Sequence, residues 1–172
     1  MKKNAILFSA SNYEKSSLIR ADDLPGVKYD IHAMYKRLIQ IGFEVKQIEN
    51  VSKDQIIPAL EDNASNSPCD AIHIVYFTGH GGHANGNNYI YPIDFASRFD
   101  TSKDIETSAM NIRDIISIYK GKGRLILILD ACRSDFESSK GYYSEITAAE
   151  DVYIAYGTQF QHTSIGISNE MS

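Results

Sequence analysis

The residues best suited to covalent chemistry are a histidine and a cysteine, each of which follows directly on an apolar run. His80 lies in the sequence Thr-Gly-His-Gly-Gly after residues 71–77, and Cys132 lies in Asp-Ala-Cys-Arg-Ser after residues 125–129. An imidazole next to a thiol can take its proton or pair with the thiolate, which is the attacking species. The two side chains therefore predict a nucleophile and its base.

The two apolar runs have the character of strands that are buried on both faces, as in a parallel sheet. The carboxyl ends of parallel strands lie at one edge of the sheet, and neighbouring strands are about 4.8 Å apart. Adjacent strands would therefore bring His80 and Cys132 within reach of each other. Because Gly81 and Gly82 have no side chains, their backbone N–H groups can approach a carbonyl oxygen and stabilise its developing negative charge.

Strand and helix patterns alternate along the chain, which is typical of an α/β domain with a layered sheet. Helices are predicted to begin near Asp30, Ser52 and Ile112. Ser52 and Gln55 have the spacing of a capping box, and Pro58 is expected to kink or shorten the helix that follows. The strands are predicted at residues 5–8, 43–48, 71–77, 125–129 and 152–156. The stretches expected to be irregular are residues 9–25, 81–108, 133–150 and 157–172.

Composition narrows the class of protein. The 172 residues include 17 Lys and Arg against 22 Asp and Glu, a net charge of -5, and 43% are hydrophobic. This balance predicts one globular domain without a basic face for nucleic acid. No apolar run approaches the roughly 20 residues that span a membrane, and the first residues do not form a convincing signal peptide. Cys69 and Cys132 cannot make a disulfide framework, so a cytoplasmic location is expected.

The two motifs together resemble those of the caspase-like cysteine peptidases, the clan of caspases, metacaspases and paracaspases. His80 and Cys132 are 52 residues apart, in agreement with the roughly 50 residues of this clan. The resemblance extends from residue 4 to about residue 160, and implies one peptidase domain over residues 1–172 with a caspase-like three-layer sandwich. It implies His80 as the base, Cys132 as the nucleophile, and the backbone N–H groups of Gly81 and Cys132 as the oxyanion hole.

The resemblance also bears on specificity. Asp130 stands two residues before Cys132, where caspases that cut after Asp usually have Gln and where metacaspases and paracaspases have an acid. Asp30 resembles the second acid of the latter two, at the start of the first helix. Two carboxylates in one pocket would favour Arg or Lys before the cut. The expected activity is that of an endopeptidase that cleaves protein or peptide substrates after a basic residue, and the branch is that of metacaspases and paracaspases.

Further positions follow from the same resemblance. Tyr156, Gly157 and Thr158 align with the strand edge that binds the substrate backbone. Lys140 lies in the polar stretch after the nucleophile and is a candidate for autocleavage. Asp94 matches one calcium ligand of metacaspases, but residues 108–113 supply no pair of aspartates. No cofactor and no metal are therefore expected, with calcium activation as an open alternative.

The end of the sequence departs from the family pattern. The final helix and strand of the family, its small-subunit-like part, have no counterpart after the fifth strand, so only the large-subunit-like portion is recognised. A C-terminal small-subunit-like piece or an attached regulatory domain is therefore a candidate partner, besides the substrate.

Alternatives remain at this level. Without the C-terminal part, the chain could be a catalytically weak module for recognition or scaffolding. A metal hydrolase could use His80, His83 and either Cys132 or an aspartate, but a loop does not preset the geometry of zinc ligands. Cys132 could be a buried core thiol. Asp30 could be favoured by the dipole of its helix alone, and Asp130 could cap a turn or pair with a neighbouring arginine.

Overall fold

The computed structural model describes residues 1–13, 23–65, 67–95, 102–131, 134–135 and 151–157, the backbone alone for residues 134–135. The four helices among them are α1 (Val27–Gln40), α2 (Lys53–Ser65), α3 (Ser102–Ser108) and α4 (Ile112–Ile118). The strands are β1 (Lys3–Ser9), β2 (Glu44–Ile48), β3 (Ile72–Gly79), β4 (Gly81–Ala84), β5 (Asn87–Ile90), β6 (Met110–Asn111), β7 (Arg124–Ala131), β8 (Ser134–Asp135) and β9 (Val152–Tyr156).

A five-stranded parallel sheet forms the centre of the fold, in the order β2-β1-β3-β7-β9. All five strands were predicted, four from apolar runs and β2 from apolar residues separated by polar ones, and the α/β class with a parallel sheet is confirmed. β3 and β7 are neighbours, with Thr78 opposite Asp130 and Gly79 opposite Ala131. The strand ends that carry the two motifs therefore lie side by side at the carboxyl edge of the sheet.

Alternate residues of each central strand face opposite helical layers, which makes three layers. On one face, Ile74 and Tyr76 pack with Ile31 and Leu38 of α1. On the other face, the odd-numbered apolar residues of β3 and β7 pack with α2 and α4. Both faces of β3 are buried, which is why its sequence is apolar at nearly every position.

A second sheet takes β4 and β5 from residues 81–108 and β8 from residues 133–150, so the expectation that these two stretches are irregular is wrong at these strands. β4 and β5 form an antiparallel hairpin, extended by β6 on one side and by β8 on the other, and α3 follows them. Asn85 and Gly86 make its turn with φ of 48° and 75°. Positive φ at both positions is the geometry of tight hairpins, for which Asn-Gly is the favoured pair. The Asn-Gly pair was therefore the overlooked signal.

Helix α2 continues through Pro58 to Ser65, so Pro58 does not shorten it. A proline inside a helix removes one N–H donor, and the helix continues because Ile56, Ala59 and Leu60 are buried against the sheet. Half of the predicted capping box is present, since Gln55 Oε1 accepts a hydrogen bond from the Ser52 N–H at 3.1 Å, whereas the Ser52 hydroxyl donates to Asp54. No helix in the described part of the chain is long and apolar enough to cross a membrane.

Candidate active site

His80 lies between β3 and β4, at the carboxyl edge of the central sheet, and is partly exposed. Its backbone is held from two sides. The N–H donates to the Tyr13 hydroxyl oxygen at 2.8 Å, and the carbonyl accepts from the Tyr91 N–H at 2.9 Å. The Tyr13 ring lies against the imidazole, with ring centroids 4.9 Å apart. This histidine therefore has a fixed backbone and one ring face covered.

Cys132 itself is outside the described residues, but the backbone on both sides of it is described. Before it, Ala131 pairs with Gly79 in the central sheet. After it, Ser134 pairs with Gly82 in the second sheet, also in parallel. The chain around His80 and the chain around Cys132 therefore run side by side both before and after the two residues.

The backbone of Gly81 begins the β4–β5 ladder, opposite Ile90. The pair before it in the ladder is His80 and Tyr91, and the Tyr91 N–H donates to His80 O, so that pair is a hydrogen-bonded one. Because bonded and non-bonded pairs alternate in antiparallel strands, the Gly81 N–H points away from β5. β8 lies on that other side of β4.

Asp130 and Asp30 lie on the α1 face of the sheet. Asp130 is partly buried near the end of β7, and Asp30 lies in the first turn of α1. Loss of hydration and then the negative charge of Asp130 raise the pKa of Asp30. The two carboxylates are therefore close enough to repel each other, as the expectation of an acidic pair requires.

Tyr76 is a buried tyrosine near the carboxylates of Asp30 and Asp130. It is 3% exposed, and burial and the charge of Asp130 raise the pKa of its phenol. The side chains of Thr78 and Asp130 lie close enough to influence this pKa. A phenol that keeps its proton is a hydrogen-bond donor, so Tyr76 places a neutral polar group, and not a further negative charge, beside Asp130.

Gly157 is in contact with the same carboxylate. Its N–H donates to Leu129 O at 2.8 Å, and a Cβ on Gly157 would lie 2.6 Å from Asp130 Oδ1. Tyr156 points to the opposite face, where its hydroxyl accepts from Asn88 Nδ2 at 3.4 Å. Of the two strand-edge residues, the structure brings Gly157, and not the side chain of Tyr156, to Asp130. Thr158 and Lys140 are outside the described residues.

His80, His83 and Asp94 are the candidate metal ligands that lie within the described residues. In the described ranges no group of three or more His, Cys, Asp or Glu side chains could hold a metal ion. His83 is buried in β4. Asp94, the candidate calcium ligand, accepts a hydrogen bond from the Lys53 N–H at 2.9 Å and so helps to cap α2. This contact gives Asp94 a structural role.

The comparison with protein families agrees with this architecture. A family model described as the caspase domain of the C14 peptidases matches residues 2–172. The chain belongs to the caspase domain family. Membership of this family supports a hydrolase of the cysteine peptidase type, acting on proteins or peptides. A search of curated proteins gives no significant match.

Sequence reasoning missed Tyr13 and Tyr76, the two aromatic residues next to the site of this caspase domain. Tyr76 could have been found, because even-numbered residues of β3 share the face of Asp130 in register. Tyr13 lies in a stretch without periodicity, and the only available signal was its position after β1, at the same sheet edge.

Proposed function

We propose that the chain is a cysteine endopeptidase in which Cys132 is the nucleophile and His80 is the base. The supporting observation is the double pairing of the two segments, Gly79 with Ala131 and Gly82 with Ser134. Parallel neighbours at about 4.8 Å bring the residues between these pairs within side-chain reach. Family membership supports the same chemistry.

The reaction follows from the properties of the pair. The Cys132 thiolate attacks the scissile carbonyl carbon, and the carbonyl oxygen takes the negative charge. The backbone N–H groups of Gly81 and Cys132 donate hydrogen bonds to this oxygen. Collapse of the intermediate expels the amine, which takes a proton from the His80 imidazolium and leaves a thioester. His80 then deprotonates a water molecule, which attacks the thioester, and Cys132 leaves as the thiolate.

The dyad is tested by mutation of each member. Cys132→Ala should abolish peptide cleavage, and His80→Ala should lower kcat/KM by about 100- to 10,000-fold, because proton transfer to and from the thiol is lost. Cys69→Ala is the matched control, since Cys69 is an exposed cysteine in the turn before β3, whereas His80 follows the other end of that strand. Turnover by Cys132→Ala would overturn the assignment. Peptide binding without turnover by the wild-type protein would instead indicate a recognition module.

We further propose that the enzyme cleaves after Arg or Lys, as in the metacaspase and paracaspase branch. Support comes from the pKa of Asp30, which loss of hydration and then the negative charge of Asp130 raise. Two carboxylates that repel each other gain most when a guanidinium or ammonium group enters between them. An Asp side chain would add a third negative charge and would be rejected.

A peptide library that varies only the residue before the cut tests this specificity. Asp130→Asn should reduce cleavage after Arg by about ten- to a hundred-fold, because a charge-assisted hydrogen bond of about 1.5–3 kcal/mol is lost. Asp30→Asn should have a smaller effect, because Asp30 is more exposed. Asp70→Asn, an exposed aspartate in the turn before β3, is the control. A wild-type preference for Asp would contradict the acidic pocket without affecting the dyad.

A further inference from the structure

We propose that Tyr13 is a positioning residue for His80, an inference that rests on the proposed role of His80 as the base. Three hydrogen bonds form a closed cycle. The His80 N–H donates to the Tyr13 hydroxyl at 2.8 Å, this hydroxyl donates to Tyr91 O at 3.2 Å, and the Tyr91 N–H donates to His80 O at 2.9 Å. One hydroxyl therefore joins the histidine backbone to the strand beside it.

The hydroxyl occupies a specific place in the second sheet. By register, His80 and Tyr91 extend the β4–β5 ladder by one pair beyond Gly81 and Ile90. A hydrogen-bonded antiparallel pair exchanges two direct bonds. Here only one is direct, and the Tyr13 hydroxyl bridges the other. The insertion turns the His80 N–H from Tyr91 toward Tyr13, and so sets the direction in which the His80 side chain leaves the backbone.

The backbone at Tyr13 is itself firmly held. The Tyr13 N–H donates to Asp23 Oδ1 at 3.1 Å. Asn50 Oδ1 accepts from the N–H groups of Ser11 and Asn12 at 3.0 and 3.1 Å. Tyr13 is only 5% exposed. Its hydroxyl is therefore delivered by a fixed segment, and little conformational freedom is left to lose when it binds His80.

The absence of a side chain at Gly79 leaves space for the Tyr13 hydroxyl beside the His80 backbone. A Cβ on Gly79 would lie 3.0 Å from the Tyr13 hydroxyl oxygen and 2.9 Å from Phe77 Cζ. Any larger residue before His80 would therefore push the tyrosine away. The tilted contact between the Tyr13 ring and the imidazole, with an interplanar angle of 50°, covers one face of the imidazole. Both the backbone and the ring of His80 are thus oriented by Tyr13.

The protein contains a matched control for this pair. Tyr119 is a second buried tyrosine whose ring lies against a histidine, His73, with centroids 4.9 Å apart and an interplanar angle of 55°. Its hydroxyl donates to Asn63 Oδ1 at 2.9 Å. His73 lies at the beginning of β3 and His80 follows its end, so the two pairs share their geometry and lie at opposite edges of the central sheet.

The experiment compares Tyr13→Phe with Tyr119→Phe in the full chain. Tyr119→Phe loses one buried phenol hydrogen bond and Tyr13→Phe loses two, so both should unfold at a lower temperature. Only Tyr13→Phe should lower kcat/KM, by about tenfold, with most of the effect in kcat. The acid limb of Cys132 alkylation should also move up by roughly half a pH unit, because a displaced imidazolium stabilises the thiolate less.

A third measurement does not depend on peptidase activity. NMR titration of the imidazoles should show a change at His80 in Tyr13→Phe and a change at His73 in Tyr119→Phe. If Tyr13→Phe leaves the His80 titration and the alkylation profile unchanged, Tyr13 is not a positioning residue. If the wild-type protein cleaves no peptide, the proposed function fails, whereas the His80 titration still decides the role of Tyr13.

Discussion

Among single residues, Asp130 is the one on which most of the surrounding interactions converge. Burial and the charge of Asp130 raise the pKa values of both Asp30 and Tyr76, and the Gly157 backbone lies against the Asp130 carboxylate. A basic side chain that reached both Asp130 and Asp30 would relieve the repulsion between the two carboxylates. This electrostatic argument is the physical basis of the proposed preference for Arg or Lys.

The contact with Gly157 leads to a prediction at the same scale. In Gly157→Ala, the new Cβ would meet Asp130 Oδ1 at 2.6 Å and Asp130 Cα at 3.3 Å. The carboxylate must move, so cleavage after Arg should fall by about tenfold, as expected for a misplaced charge-assisted contact. Cleavage after a neutral residue should change by less than about twofold, since a neutral side chain makes no charge-assisted bond. Steady-state kinetics on matched Arg and neutral peptides measures the ratio.

Gly26→Ala is the control for the glycine substitution. Gly26 precedes α1 and is only four residues from Asp30, but a Cβ there has nothing within 4 Å. This variant should keep the wild-type ratio of Arg to neutral cleavage. An equal loss on both peptides in Gly157→Ala would indicate damage to the strand and would contradict a specific effect on Asp130.

At the scale of the elements, strands buried on both faces were the most predictable part of the chain. β3 and β7 bury side chains of alternate residues against α1 and against α2 and α4. Apolar residues at successive positions therefore mark the strands directly. The same strands set the site, because Thr78 is in register with Asp130 and the two motifs must emerge at one edge. The hydrophobic strands and the motifs that follow them were therefore enough to predict that the two motifs lie at the same edge of the sheet.

The second sheet was not predictable in this way. β4 consists of Gly81, Gly82, His83 and Ala84, which show no apolar alternation. One of its edges pairs with β5 in the hairpin, and the other pairs with β8, a strand distant in sequence. Its pairing with β8 joins residues more than fifty positions apart. The cycle of hydrogen bonds among Tyr13, His80 and Tyr91 also joins residues far apart in the sequence. No local sequence pattern specifies where the Tyr13 hydroxyl lies.

At the scale of the whole molecule, the two ends of β3 carry histidines in different environments. His73, near the first end, is fully buried, and its Nε2 donates to Lys122 O at 3.1 Å. Within the described ranges, Nδ1 has no hydrogen-bond partner. Protonation would place an N–H without an acceptor in the core. Burial, and to a lesser extent the charge of Lys2, therefore lower the pKa of His73, while the bond to Lys122 opposes the shift.

This environment predicts how global stability depends on pH. The pKa of His73 is below its unfolded value of 6.5, so the unfolded chain binds the proton more readily than the folded chain. The contribution of neutral His73 is complete above pH 6.5 and decreases as the pH falls toward the folded-state pKa. The free energy of unfolding should fall by up to about 1.4 kcal/mol per pH unit in this window. Urea denaturation between pH 7 and pH 5 measures the slope.

Two variants separate His73 from the other titrating groups. His73→Gln, whose amide can still donate to Lys122 O but does not titrate, should flatten the slope between pH 7 and pH 5. His32→Gln changes an exposed histidine of α1 and should leave the wild-type slope. The window lies above the range in which ordinary carboxylates titrate, so Asp and Glu contribute little to it. A His73→Gln profile as steep as that of the wild type would show that another group causes the loss of stability, and that protonation of His73 is accommodated in the core.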